Sequence, residues 1–262
     1  MPDSERLIVS KQDGVKRITF HCPERRNALD RAASERFHEL IMETAEDDTR
    51  VLVLTGTGDA FCAGADLTPN MAFQSQPEDV TEVLRRVVNP TIVAMREMPK
   101  PVIARVHGVA AGVGCNYALA SDLRICSTTA KFGQAFSKIG LIPDGGSTYF
   151  LPHLIGYAKS FEMMVTGDLL DAQSALAMGL VNAVVEPDAL DATVAKWTER
   201  LLAGAQLAIS GIKKSLHYGE SHTLAESLEC EAVTQKKCFD SEDFREGVAA
   251  FREKRRPQFR GR

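Results

Sequence analysis

Two glycine-bearing segments each follow an apolar, β-branched run, and each could aim backbone N–H groups at a ligand. The first is Asp59–Leu67 (DAFCAGADL), after Val51–Thr55; the second is Gly108–Asn116 (GVAAGVGCN), after Val102–Val106. Glycine allows a positive φ and close approach of backbone to a ligand. In parallel sheets ligands sit beyond the carboxyl ends of the strands. Two loops at one such edge can converge their donors on a developing oxyanion, although plain turns give the same pattern. Gly112-Val113-Gly114 also opens like a dinucleotide fingerprint. That reading fails because Tyr117 stands where Gly or Ala is needed, and no acid stands near Lys131 at the expected strand end. The six histidines lack HxxxH spacing and the six cysteines form no CxxC pair. Neither a metal centre nor a disulfide framework is expected, and the thiols read as reduced. Asp144, in the run Ile142-Pro143-Asp144-Gly145-Gly146, reads on its residues alone as the cap of a helix starting near Gly145.

The elements that must position these segments alternate in the first half of the chain. Leu7–Lys11 and Val15–Phe20 are short β-rich runs separated by the hairpin signal Asp13-Gly14. Helical spacing follows over Arg31–Asp47. Val51–Thr55 and Val102–Val106 read as strands buried on both faces, and Leu123–Cys126 as a third. Val80–Met98 is helical in pattern, but Pro90 predicts a kink or break inside it. A helix is expected near Cys115–Ala120. From Gly145 onward the periodicity is mostly helical: Ala158–Val165, Asp171–Met178, Leu190–Leu202, Gln206–Tyr218, Leu224–Cys238 and Asp240–Lys254, with Asn182–Val185 as the one strand. Strands alternating with helices define an α/β class, followed by a helical C-terminal part.

Several motifs occur together and in order: PERRNAL (Pro23–Leu29), AFCAGADL (Ala60–Leu67), HGVAAGVGCNYALASDLRI (His107–Ile125), FGQAFSKIGLIPDGGSTYFLPHLIG (Phe132–Gly156) and TGDLLDAQSALAMGLVNAVV (Thr166–Val185). Along most of its length the chain resembles the enoyl-CoA hydratase/isomerase (crotonase) family, and within it the isomerases of the phenylacetate-degradation type. The resemblance implies a crotonase-like fold of repeated ββα turns, with an α/β core over 1–195 and a helical trimerisation region over 196–262. It implies an acyl-CoA thioester substrate, with coenzyme A entering as part of that substrate and no separate cofactor, metal or nicotinamide. A homotrimer or a dimer of trimers is expected.

The resemblance also assigns residues. The backbone N–H groups of Ala65 and Val113 would form the oxyanion hole for an enolate. Hydratases of the family carry two glutamates; here the corresponding positions hold Asn116 and Phe136, neither of which can exchange a proton near neutral pH. Asp144 remains as the acid/base of an isomerase, or as a nucleophile of the dehalogenase type, against the helix-cap alternative. Phe136 is expected to make the pocket apolar and so raise the Asp144 pKa. Asp66 is expected to hold the first loop. Ala28, Ala63, Leu67, Gly112, Gly114, Asn116, Phe136 and Pro143 would line the substrate site, with further walls between Met71 and Thr91. Arg25, Arg26 and Lys254 are candidates for the coenzyme A phosphates. An enoyl-CoA hydratase with altered acids, or a non-catalytic acyl-CoA-binding protein, are the alternatives.

Composition bounds the rest. The chain has 262 residues, 44% hydrophobic and 25% charged, with a net charge of −4. That balance supports a sizeable core and does not suit a polyanion binder, so nucleic acid is not an expected partner. Only the tail Phe251–Arg262 is basic, with six cationic residues against Glu253, and it reads as a solvated face. No signal peptide or membrane span is visible, so a cytoplasmic protein without membrane contact is expected.

Overall fold

The computed structural model describes residues 6–68 and 80–262. It opens with the hairpin β1 (Leu7–Gln12) and β2 (Val15–Phe20), antiparallel around Asp13 (φ 50°) and Gly14 (φ 79°). The paired positive φ values match the right-handed strand twist and produce a tight two-residue turn. Helix α1 (Arg31–Glu46) starts at Asp30, whose carboxylate accepts the Ala33 N–H, and it buries Phe37, Leu40 and Ile41.

The chain then repeats one motif. Strand β3 (Val51–Gly56) leads into β4 (Ala60–Cys62), β5 (Val102–Val106) into β6 (Val109–Ala111), and β7 (Leu123–Ser127) into β8 (Lys131–Gly133). The first strand of each pair joins a six-stranded sheet; the second joins a four-stranded one. With β9 (Leu170–Asp171) and β10 (Ala183–Val185), the orders are β1-β2-β3-β5-β7-β10 and β4-β6-β8-β9. Helices return the chain to the next pair: α2 (Val80–Val83) with α3 (Asn89–Glu97), then α4 (Val113–Ala120). This is the ββα repeat implied by the resemblance.

The second sheet corrects the sequence reading, which took both glycine segments as loops throughout and Asn182–Val185 as the one strand after Gly145. Strands of three residues such as AFC, VAA and KFG are too short to show a two-residue alternation. Pro90 also behaves differently from expectation. Between α2 and α3 the chain widens into a π turn over Leu84–Val88, closed by the Asn89 N–H to Leu84 C=O bond. The wider turn moves the carbonyl that the proline ring would otherwise strike, so the helix passes Pro90 without breaking.

The core gathers below the two loops. Phe20, Phe37, Phe61 and Tyr117 meet there, with ring centroids 5.1 Å apart for Phe20–Phe37 and 4.6 Å for Phe37–Tyr117. Every residue of α4 from Gly114 to Ala120 is buried. The C-terminal half contains α5 (Ser147–Thr166), turned at Gly156, then α6 (Ala172–Ala177), α7 (Leu190–Leu202), α8 (Gln206–Gly219), α9 (Leu224–Phe239) and α10 (Glu242–Glu253). Helix α7 runs through residue 195, and its Leu190 and Val194 pack on Val51, Val53, Ile103 and Ile125 of the large sheet. Among the described residues no helix is long and apolar enough to cross a membrane.

Candidate active site

The first loop is held by the PERRNAL segment. Ala63 N–H donates to Arg26 C=O (2.9 Å), Leu29 N–H to Gly64 C=O (2.8 Å) and Asp66 N–H to Leu29 C=O (2.8 Å). Leu29 thus bridges Ala65 in parallel fashion, and Ala65 keeps its own N–H on the opposite side. Asn27 locks the approach: its buried amide donates to Thr57 and Ala60 carbonyls, and its Oδ1 accepts the Cys22 N–H. Asp66 is tied to Arg6 and Arg25 (both 3.2 Å) and accepts from the Thr68 N–H and hydroxyl. Burial pushes its carboxyl up, but the bonds from Thr68 and Arg6 and the Arg25 charge outweigh that and hold it below the usual range.

The second loop touches the first at glycine. Gly112 N–H donates to Gly133 C=O (3.0 Å), and Val113 begins α4. A Cβ on Gly64, whose φ is +96°, would lie 2.8 Å from the Ala111 carbonyl oxygen and 3.5 Å from the Val113 nitrogen. Any other residue there would drive the loops apart. Val113 is the first residue of α4, so its N–H has no intrahelical acceptor. Among the described residues neither the Val113 nor the Ala65 N–H donates to any acceptor. Two uncommitted backbone donors therefore stand on adjoining loops, one reinforced by the positive end of a helix.

Asp144 stands half-buried just before α5. It does not cap that helix. The N-cap is Gly146, with no side-chain bond, which removes the alternative raised by the sequence. Burial pushes the Asp144 carboxyl up to about 6, against a small opposing pull from its own backbone N–H. Its carbonyl oxygen, by contrast, takes three donors: Asn116 Nδ2 (2.8 Å), Ser147 N–H (3.1 Å) and Ser147 Oγ (3.0 Å). Phe136 lies over the second loop, its ring 3.8 Å from where a Gly112 Cβ would be. Val88, at the end of the π turn, comes within 3.5 Å of the corresponding position on Gly145. Val88 is thus an apolar neighbour of the segment that carries the carboxylate, and the Phe136 ring one of the second loop.

Other expected site residues divide. Ala28 is buried, Ala63 and Pro143 are half-buried, and Leu67 is 59% exposed beside the first loop. Asn116 was expected on the pocket wall, but it is 0% exposed, and its amide is taken up by the Asp144 carbonyl on one side and Gln134 on the other. Gly114 likewise faces no pocket: a Cβ there would meet Cys62 C=O at 2.4 Å, so it is the contact that lets α4 press on β4. The Arg25 guanidinium is occupied by Asp66 and by Thr68 Oγ1 (2.6 Å). Arg26 is exposed, with no acidic partner among the described residues. Lys254 caps α10, which packs on α9, and no contact described within one chain brings it to the loops. Of the expected walls between Met71 and Thr91, residues 69–79 lie outside the described residues.

Sequence reasoning missed Gln134. It is 0% exposed, and its Nε2 donates to Asn116 Oδ1 at 2.8 Å. The available signal was an amide directly after the apolar strand β8, within the same motif as Phe136. His107, at the start of the second-loop motif, sits between Arg105 Nη1 (3.0 Å) and Gly58 C=O (3.1 Å). Burial and the Arg105 charge push its pKa down.

The ββα repeat thus carries two free N–H groups on adjoining loops, and a carboxyl of raised pKa on a segment hydrogen-bonded to α4. The profile of the enoyl-CoA hydratase/isomerase family matches residues 10–262. The 1,2-epoxyphenylacetyl-CoA isomerase of Escherichia coli (strain K12) is 36% identical over 98% of this chain and 99% of its own. The crotonyl-CoA hydratase of Syntrophomonas wolfei is 33% identical over 97% of this chain and 98% of its own. The crystal structure of enoyl-CoA hydratase from Bacillus anthracis superposes with a TM-score of 0.92 at 30% identity, covering 98% of this chain and 100% of that one. The chain belongs to the enoyl-CoA hydratase/isomerase (crotonase) family.

Proposed function

We propose that the protein is an acyl-CoA isomerase that shifts an enoyl double bond or opens an epoxyacyl-CoA through an enolate. The observation that carries this reading is Asp144: among the described residues it is the one carboxyl that burial carries clearly above its ordinary value, while the positions where hydratases of the family carry glutamates hold Asn116 and Phe136. On this reading the Ala65 and Val113 N–H groups hold the thioester oxygen. The Asp144 carboxylate takes a proton from the α carbon of a 3-enoyl thioester. The electron pair delocalises to the thioester oxygen as a dienolate, which the two donors stabilise. Protonated Asp144 then returns the proton at the γ carbon, giving the 2-enoyl product and restoring the carboxylate. A carboxyl near pKa 6 serves both as base and as acid in turn. The isomerase from E. coli named above supports this choice, and the hydratase from S. wolfei marks its competitor.

Mass spectrometry of products from a panel of enoyl-CoA and epoxyacyl-CoA thioesters in labelled water tests the reading. Isomers without added water are expected, and Asp144→Asn should lower kcat by ~10²-fold or more at nearly unchanged thioester affinity. Net incorporation of water, or a fully active Asp144→Asn enzyme, would sink it. Catalysis is proposed to need neither metal nor nicotinamide, and activity should survive exhaustive treatment with chelator.

We also propose that the protein works as a homotrimer or a dimer of trimers. Phe239, Phe244 and Phe251 on α9 and α10 are exposed, Phe251 by 85%, and they border an open groove of about 1130 Å³ between α8, α9 and α10. Exposed apolar surface of this kind is covered in stable proteins. Light scattering that gives a monomer at micromolar concentration would refute it.

A further inference from the structure

We infer that Gln134 and Asn116 form a buried amide relay that fixes the backbone of Asp144 against α4, making both of them positioning residues for the acid. The inference rests on Asp144 being the acid/base of the reaction. The relay runs Gln134 Nε2 to Asn116 Oδ1 (2.8 Å), then Asn116 Nδ2 to the Asp144 carbonyl (2.8 Å). Its direction is dictated from one end. A carbonyl can only accept, so Asn116 must turn its NH₂ to Asp144 and its oxygen to Gln134, and Gln134 must then present its NH₂.

Holding this direction has a cost. Gln134 Oε1 is left buried without a donor among the described residues. An unsatisfied buried acceptor is destabilising, because the water it gave up is not replaced. The arrangement is retained because the amides cannot both turn round without facing one acceptor to another. The geometry around the relay is equally tight. Gly145 has φ +53°, and a Cβ on it would come within 3.0 Å of Asn116 Nδ2, so the amide reaches the Asp144 carbonyl only because no side chain stands there.

What the relay connects gives it a function. Asn116 lies one helical turn after Val113, on the helix whose first N–H is an oxyanion donor. One short helix and one hydrogen bond therefore set the spacing between the group that holds the enolate oxygen and the group that moves the proton. Ser147 supplies two more bonds to the same carbonyl, but from within the segment itself; among the described residues Asn116 alone ties that carbonyl to α4 by a hydrogen bond. A loss of about 1 Å in the placement of a reacting group can cost ~10²-fold in rate.

The test uses the full-length enzyme with Asn116→Leu, Asn116→Asp, Gln134→Met, Asp144→Asn and the double variant Asn116→Leu/Gln134→Met. Two readouts are taken: kcat and KM on a thioester that the wild type isomerises, and the Asp144 titration in free enzyme by ¹³C NMR of labelled aspartate. Asn116→Leu should lower kcat ~10²-fold because it cannot donate to the carbonyl, and Asn116→Asp should do so once its carboxyl is ionised, since only the protonated acid can donate. Gln134→Met should lower kcat ~10-fold, since Asn116 stays but loses its orienting partner. KM should stay within about twofold in all of them. The double variant should be no worse than Asn116→Leu, as serial members of one relay require. The Asp144 titration should move down in each variant of Asn116 or Gln134, as the released carboxyl reaches water.

A rise in KM at unchanged kcat would mean that Asn116 touches substrate, and would overturn the relay. Wild-type kcat in the relay variants beside an inactive Asp144→Asn would overturn it too, while leaving the acid/base reading intact. If instead Asp144→Asn is fully active, the acid/base reading falls, and an unmoved Asp144 titration in Asn116→Leu still decides against the relay. Should Asn116→Leu fail to fold, Gln134→Met carries the same readouts with the segment untouched.

Discussion

Asp66, on the first loop, and Asp144, before α5, are the same residue type beside the same pair of loops, yet their surroundings drive them in opposite directions. Asp66 is the more buried, but its carboxylate receives Thr68, Arg6 and Arg25 and stays below the usual range. Asp144 is half-buried, its carboxylate has no donor beyond its own backbone N–H among the described residues while Asn116 and Ser147 reach its carbonyl, and the carboxyl rises to about 6. Burial alone does not decide a carboxylate's role; the number of donors aimed at its oxygens does. The first is held as a fixed anion that braces a loop. The second is left free to gain and lose a proton.

Replacing the oxyanion donor gives the largest expected effect on that contrast. Val113→Pro removes one N–H at the first position of α4, where proline is tolerated, so the fold should survive. The loss of the donor should lower kcat ~10²-fold, equivalent to ~3 kcal/mol. Unchanged turnover, with α4 intact by circular dichroism, would show that the two free donors do not act on the substrate.

A pH profile separates the two carboxyls directly. Between pH 4 and 8 Asp66 stays ionised, and Asp144 passes through its pKa. As the basic form is the one that starts isomerisation, kcat/KM should fall about tenfold per pH unit below about 6. Asp66→Asn should leave that limb in place. A profile flat down to pH 4.5 would remove Asp144 from the proton transfer.

Stability provides the next contrast. Asp66 has a folded pKa below its unfolded value, so its contribution is present above about 3.8 and is lost as pH falls below that. Asp66→Asn leaves Arg6 and Arg25 short of their partner, and should cost about 3 kcal/mol near pH 7 in denaturant melts. Asp144 has the opposite sign. Its folded pKa lies above the unfolded one, so the protonated state is favoured at low pH and stability is lost as pH rises from 3.8 through about 6. Asp144→Asn should therefore stabilise the fold at pH 7 by about 2 kcal/mol, after discounting for solvent on a half-buried group, and by nothing near pH 3. A destabilised Asp144→Asn at pH 7 would reverse this half of the comparison.

Much of this arrangement was legible in advance. Asp13-Gly14 marked its turn, the spacing over Arg31–Asp47 its helix, and Val51–Thr55 and Val102–Val106 their doubly buried strands, because each signal lies within a short stretch of the chain. The motifs carried the two loops and Asp144. What stayed hidden lay between segments. Asn116 read as a wall residue because its position in the motif points to the pocket, whereas its burial depends on where the Pro143–Gly146 turn lands, 28 residues later. Gln134 gave only the signal of an amide directly after a short strand, and an amide has a role only once its partner is known.

The sequence by itself determined the period of strands and helices, the glycines at Gly64 and Gly112 where two loops meet, and the absence of glutamate at positions 116 and 136. These are local properties, written in backbone sterics and side-chain chemistry. Only the tertiary structure decided that three-residue strands form a second sheet, that a π turn carries the chain past Pro90, and that Asp66 is braced while Asp144 is left with a raised pKa. Each of these depends on groups distant in sequence coming within hydrogen-bond or van der Waals reach, and burial and donor placement are set only when they do.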